Sequence, residues 1–486
     1  MTLQSLLADL PYLLDTRGDL TVDINHVTAN SREKVEKGLF FCISGMHFDA
    51  HQFVPQAVSN GCVALVVERF LPDIAVPQVL VSDGRASMAR VAAAFYGHPA
   101  RQLKLVGVTG TKGKTTTSYL VKAILEQAGY TCGLIGTTGN LIGNKKLKSE
   151  LTTPDPIELQ ATLRQMADAG VQVVSMEVSA HALDLRKLDG LTFEAASYTN
   201  LSQDHLDYFH TMERYFEAKK QLFTSGMVRN ASFNADEDTT PAMLKELNIP
   251  YLTYGICSNA DLYARDIEIS ENGVRFDLKL QDMHNVTVHL KMTGMFNVYN
   301  AIAAASLAMI LGVSGEDIKL GLESVTGVPG RIEMLPINTP YKVILDYSHT
   351  PDALENILTT VKEFARKRII VVFGCGGDRD QGKRPIMGKI AGRLADYSIL
   401  TSDNPRTEDP YLILKAVEDG IKLTGAKYTM IENRRDAIRH ALQIGQEGDI
   451  IILAGKGHET YQEVMGVKRP FDEKVVVTEL LEEIQR

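Results

Sequence analysis

From Leu103 the chain runs LKLVGV, turns through TGTKG and continues as KTTTSYLVKAILEQAG. An apolar stretch of strand length, a glycine turn and then Leu120, Val121, Ile124, Leu125 and Ala128 at helical spacing specify a buried strand that feeds directly into a helix, with Gly129 as its stop. A unit of this kind buries itself in a sheet covered by helices, so it restricts the chain to α/β architectures.

The turn between strand and helix has its own chemistry. Gly110 and Gly113 let backbone N–H groups face phosphate oxygens, the helix start adds positive potential, and Lys114 reaches outer phosphates while Thr115 is placed to hold Mg2+. Val108 stands where the first glycine of the strict phosphate-loop pattern would be, so the motif is a variant, and a plain helix-capping loop is the alternative.

With 486 residues, the sequence points to roughly three domains of about 150 residues. Leu103 follows the polar GHPARQ, and TGVPGRIE precedes a second run of alternating strands and helices, so we expect domains at 1–100, 101–330 and 331–486. The net charge of -9 argues against a nucleic-acid surface. The five cysteines are scattered without a CxxC pair, which fits neither a disulfide framework nor a zinc site and suits a reducing compartment. Ala301–Val313, the longest apolar stretch, is too short to span a membrane and reads as a buried helix. The N-terminus lacks the basic start of an export signal, so a cytoplasmic location without membrane insertion is expected.

Beyond the phosphate loop, VVSMEVSAH sets Glu177 at the end of an apolar strand, and SYTNLSQDH sets Asn200, Asp204 and His205 just past another. Glu177 and His205 are candidate ligands of a second metal ion, against the plainer reading of a salt-bridged acid and a hydrogen-bonded histidine. Lys219, taken alone, belongs on the solvated face of its helix. After position 331, four apolar strands each end in a polar loop: DYSHTPD, GCGGDRDQGKR, SDNPRTEDP and GKGHET. In an open parallel sheet such loops converge on one crevice, where a second substrate is expected.

Taken in order, TGTKGKTTT, MEVSAH, TNLSQDHLDYFH, EAKKQLF, MTGMFNVYNAIAA, GVPGRIE, LDYSHTPDALE, FGCGGDRDQGKRP, SDNPRTEDP and AGKGHETYQ resemble the motifs of the Mur ligase family over nearly the whole chain. The resemblance implies a three-domain α/β architecture: an N-terminal domain for a UDP-sugar peptide, a central P-loop ATPase and a C-terminal Rossmann-like domain for the incoming amino acid. It implies that ATP, with Mg2+, phosphorylates the D-glutamate γ-carboxylate of UDP-MurNAc-L-Ala-D-Glu. The amino group of meso-diaminopimelate would then attack the acyl phosphate, a step of peptidoglycan synthesis, in a protein expected to be a monomer.

Carried over position by position, the resemblance makes Lys114, Glu177, His205 and Lys219 catalytic. Lys219 would be an N-carbamate that joins Thr115, Glu177 and His205 around metal. ATP would meet Gly110, Thr111, Lys112, Gly113, Lys114, Thr115 and Thr116, then Asn297 and Asn300 near the base and Arg331 and Asp346 near phosphates and ribose. The UDP-sugar peptide would meet Ser31, Met46, His47, Phe48, Thr152, Thr153, Ser179 and Lys187. Ala180 replaces the family's second serine, and DLRKLDG lacks the customary glycine-arginine pair, so Leu185, Arg186 and Lys187 share an open assignment.

The amino-acid pocket would use Arg379, Asp403, Asn404, Pro405, Arg406, Gly455 and Glu459. Meso-diaminopimelate carries a distal carboxylate that L-lysine lacks, and the Arg406 guanidinium can pair with it bidentately while presenting only like charge to lysine. The alternatives are the same chemistry on lysine or another acceptor, including folate-glutamate and cyanophycin-type ligases, and an ATP-binding protein without catalysis.

Overall fold

The computed structural model describes residues 1–486 except 46–48, 148, 150, 257–258, 271, 281–284 and 486. Three successive sheets carry the chain. In the first, strands run in the order Leu13–Arg17, Gln78–Val81, Cys62–Val67, Gly38–Phe41 and His26–Thr28, parallel except for the first. Alternation sorts its side chains by face: Leu39 and Phe41 pack on one side, Phe40 and Cys42 on the other.

The second sheet is built around Lys104–Thr109, which lies between Phe193–Tyr198 and Val173–Glu177 and runs parallel to both. Seven parallel strands, from Cys132–Ile135 to Leu262–Ser270, form its centre, and antiparallel strands extend both edges among its 11 strands. Val106 and Val108 face one core and Leu105 the other. At about 1.5–3 kcal/mol for each large apolar side chain buried, burial on both faces fixes this strand in the middle. The register opposes Glu177 to Val108 and Tyr198 to Thr109, so the three strands end together. The residues after them are thereby forced onto one edge of the sheet.

Lys114–Gln127 is the helix expected after the glycine turn, and Met295–Ile310, covering most of the apolar stretch at 301–313, packs beside it in the same core. The helix Met212–Thr224 starts where the Thr211 hydroxyl accepts the Arg214 N–H at 3.2 Å. Its buried face carries Tyr215, Ala218, Lys219, Leu222 and Phe223.

The third sheet orders its strands Glu333–Met334, Lys342–Asp346, Ile450–Ala454, Ile369–Phe373, Tyr397–Leu400 and Tyr428–Met430, parallel except for the first. Ile450, Ile452 and Ala454 face one layer of core, and Ile451 and Leu453 the other. Asp346 is opposite Ala454 and Phe373 opposite Leu400, so the four polar loops leave the same edge. The hairpin Tyr461–Val464 with Val467–Pro470 follows the last of these loops. No helix among the described residues is long and apolar enough to cross a membrane.

Candidate active site

The phosphate loop is held from behind by the strand end beside it. Asn200 Oδ1 accepts the Lys112 N–H at 2.8 Å while its amide donates to Lys112 O at 3.1 Å, and Thr199 Oγ1 donates to the same carbonyl at 2.7 Å. Gly110 (φ +148°) and Gly113 (φ +85°) lie in backbone regions that favour glycine. A Cβ on Gly110 would strike Thr199 Oγ1, and one on Gly113 would strike Asn300 Oδ1, so both glycines are required by approach as well as by angle.

Lys114 Nζ folds back to donate to Gly110 O at 2.8 Å and Thr111 O at 2.9 Å. Burial pushes its ammonium below the usual range, opposed by the charges of Glu177 and Asp204. Thr115 Oγ1 donates to Glu177 Oε2 at 3.0 Å and accepts Arg331 Nη2 at 3.3 Å, joining three distant segments at one hydroxyl. Glu177 is fixed by Thr137, whose N–H donates to Oε1 at 2.8 Å and whose hydroxyl donates to Oε2 at 3.0 Å. Nothing in the sequence around Thr137 announced it.

Lys219 is the clearest correction to the sequence reading. It is not on a solvated face but 1% exposed, its Nζ donating to Gly110 O at 2.9 Å and lying 4.3 Å from the centre of the Tyr215 ring. Burial and then the charge of Lys114 hold its amine well below the ordinary lysine value. The signal was present: Lys219 sits four residues after Tyr215 and three before Leu222, inside the apolar stripe of its own helix.

His205 (φ +55°) lies 3.4 Å from the Asp204 carboxylate, and its ring meets His181 edge-on at 4.7 Å between centres. Burial lowers the pKa of both imidazoles, that of His181 to about 4.

A cavity of about 540 Å³ unites these groups. Thr111 to Thr116, Glu177, His205 and Lys219 line it from the second sheet, and Arg331 and Asp346 line it from the third segment. Asn300, Thr152 and Ser179 also reach it. Thr153 is buried just behind, donating to Glu177 O at 2.8 Å and accepting the Ser179 N–H at 3.1 Å. Asp346 accepts N–H groups of Ile332 and Ser348 at 2.8 and 2.9 Å. Asn297 stays inside its helix, donating to Thr293 O at 2.8 Å, and Asn300 donates to Asn297 Oδ1 at 3.1 Å.

Other expected residues stand apart from the cavity. Ser31 donates to Gln56 at 3.0 Å in the first sheet's domain, and Met46, His47 and Phe48 lie outside the described residues. Lys187 pairs with Asp155 at 2.6 Å, whereas Arg186 ties to Asp83 at 3.1 Å, Tyr12 at 2.8 Å and Asp189 at 2.9 Å.

At the edge of the third sheet, Asp403, Asn404, Gly455 and Glu459 meet around Lys456. Arg406 (φ +50°), following Pro405, donates to Gly377 O at 2.7 Å and lies 3.6 Å from Glu463. Arg379 is solvent-facing and bonds to Asp378 O at 3.1 Å. His458 links this edge to the phosphate site. Its ring meets Tyr347 at 5.0 Å between centres, and Tyr347 lines the phosphate cavity. Burial, with the charge of Arg331, takes its pKa down to about 4.

Residues 108–308 match the family model described as the Mur ligase middle domain, and residues 330–457 match the one described as Mur ligase, glutamate ligase domain. The chain is 43% identical, over 100% of both lengths, to UDP-N-acetylmuramoyl-L-alanyl-D-glutamate:2,6-diaminopimelate ligase 1 of Clostridium acetobutylicum. This chain belongs to the Mur ligase family. A Mur ligase of Halalkalibacterium halodurans carrying the same diaminopimelate ligase name is 45% identical over 95% of each chain. A solved structure of a diaminopimelate ligase of that name superposes on this Mur ligase with a TM-score of 0.69 at 33% identity, covering 100% of this chain and 99% of that one.

Proposed function

We infer that this Mur ligase is an ATP-dependent amide-bond ligase that adds meso-diaminopimelate to UDP-MurNAc-L-Ala-D-Glu in peptidoglycan synthesis. The observation that carries it is the convergence of Lys114, Thr115, Glu177 and Arg331 on one cavity beside a buried Lys219. We assign residues 1–100 to the UDP-sugar peptide, 101–330 to ATP and phosphoryl transfer, and 331–486 to the amino acid.

The chemistry explains the residue types. A carboxylate resists attack until one oxygen leaves as phosphate, and two anions must first be brought together. Lys114 and Arg331 supply positive charge where the outer phosphates and the γ-carboxylate meet. Lys112 to Thr116 offer backbone donors to the triphosphate, with Asn297 and Asn300 toward the base and Asp346 toward the ribose. The oxygens of Thr115 and Glu177, 3.0 Å apart, suit a hard cation. They, with His205 and Lys219 as a carbamate, are the residues that would hold Mg2+, which when bound offsets anion repulsion. An amine kept from protonating is the form of Lys219 that reacts with carbon dioxide, which converts a repelling cation into an oxygen ligand.

Ser31, Met46 to Phe48, Thr152, Thr153, Ser179 and Lys187 are assigned to the sugar peptide, and Arg379, Asp403 to Arg406, Gly455 and Glu459 to diaminopimelate. The amine of the bound amino acid attacks the acyl carbon, phosphate departs with the C–O bonding pair, and the amine proton passes to solvent. The test is radiolabelled diaminopimelate, lysine and ornithine offered in parallel with ATP and the UDP-dipeptide. Label should enter the UDP-linked product from diaminopimelate; equal or better incorporation of lysine would refute the acceptor.

A further inference from the structure

Lys456 is 0% exposed and is the buried cation of the cluster at the edge of the third sheet. Its Nζ donates to Asn404 Oδ1 at 3.0 Å and to Glu459 Oε2 at 3.2 Å, and lies 3.6 Å from Asp403 Oδ1. Asn404 Oδ1 also accepts the Glu463 N–H at 3.0 Å, so both of its lone pairs are engaged. The amide is therefore locked in one orientation, with Nδ2 donating to Glu459 Oε2 at 2.9 Å and its other N–H left for a ligand.

The charge count bears on what that ligand is. Asp403 and Glu459 bring two carboxylates against one ammonium, and Asp403 Oδ1 is buried without a hydrogen-bond partner. A buried acceptor of that kind costs free energy unless a donor arrives. A ligand ammonium satisfies it, while the amide N–H of Asn404 that Glu459 does not use suits a ligand carboxylate.

We propose that Lys456 is a positioning residue for amino-acid recognition: it fixes the Asn404 amide and the Glu459 carboxylate so that the site receives one ammonium and one carboxylate of the incoming amino acid. The proposal rests on the assignment of this cluster to the amino-acid substrate. Lys456 does not itself touch the reacting atoms; without it, the Asn404 amide is held by two bonds instead of three and Glu459 and Asp403 repel one another.

Steady-state kinetics of Lys456→Met tests this, each substrate being varied in turn. KM for the amino acid should rise about 10- to 100-fold, the loss expected when charge-assisted hydrogen bonds are removed. KM for ATP and the UDP-dipeptide, and kcat at saturating amino acid, should stay near the parent values. Lys456→Gln, which keeps a polar group in place, covers failure of the methionine variant to fold. Asn404→Ala should raise the same KM, and the double variant with Lys456→Gln should raise it by less than the product of the two single effects, because the two share one amide. An unchanged amino-acid KM, a parallel rise in all three KM values, or full additivity of the pair would overturn the proposal. If the wild type accepts lysine instead of diaminopimelate, only the substrate assignment fails, because the KM split for lysine still tests Lys456.

Discussion

The phosphate loop and the Lys456 cluster are both built at the carboxyl ends of parallel strands, yet they solve opposite problems. At the phosphate loop, Lys114 and Lys219 share the Gly110 carbonyl with no carboxylate bonded to either, and Arg331 approaches the same hydroxyl as Glu177. Lys114 is held by carbonyls rather than by a carboxylate, which leaves its charge for an anion. Around Lys456, the cation, the Asn404 amide and the Glu459 carboxylate already bond to one another, so the region is shaped before any ligand comes. A site that must handle a triphosphate gains from uncompensated cations, whereas one that must tell one amino acid from another gains from fixed geometry.

That contrast is open to direct attack. Lys114→Met removes a cation with no substitute, and ADP formation at saturating substrates should fall about 10³-fold, the scale of a lost transition-state donor. A phosphate-release assay reads it, and a loss confined to ATP KM would contradict a role in transfer. Arg406→Ala should weaken diaminopimelate use by about 3 kcal/mol, seen as kcat/KM for that substrate, while ATP binding stays as it was. Equal weakening of both would dissolve the division between the regions.

His458 joins the two regions, and its pKa near 4 makes the junction sensitive to acid. The unfolded chain takes up a proton near 6.5 and the folded one only near 4, so folding is favoured above the unfolded value and stability drains away as pH falls from 6.5 toward 4. His458→Asn should flatten the pH dependence of the unfolding free energy across that window by on the order of 2 kcal/mol, a figure reduced for its partial exposure and read from denaturant unfolding at each pH. A smaller effect is expected at Thr137. Thr137→Val keeps the N–H bond to Glu177 and loses the hydroxyl bond, which should lower thermal stability by about 1 kcal/mol, measured by calorimetry.

The sequence made one region more legible than the other. Apolar periodicity marked the strand Lys104–Thr109 and its helix, and the polar ends of the strands at 342–346, 369–373, 397–400 and 450–454 followed from the same alternation. Local chemistry marked Gly110, Gly113 and Lys114 because their function depends on near neighbours. Lys456 and His458 escaped notice because a lysine inside GKGHET reads as solvated, and only the register of Asp346 with Ala454 brings that loop against Tyr347 and Asn404. Thr137 escaped because its partner is Glu177, 40 residues away. The stripe of Tyr215, Lys219 and Leu222 was written in the sequence, but a cation in an apolar stripe is weighed against burial until its surroundings are known.

In the proposed reaction, this chain hands a phosphoryl group from ATP to a carboxylate so that an amine can capture it. Coupled measurement of ADP release against labelled tripeptide product tests it most directly, with Mg2+, ATP, UDP-MurNAc-L-Ala-D-Glu and diaminopimelate added singly and together. One ADP per amide bond formed, only in the complete mixture, is the predicted result. Tripeptide without ADP, or no ADP with any acceptor, would contradict it.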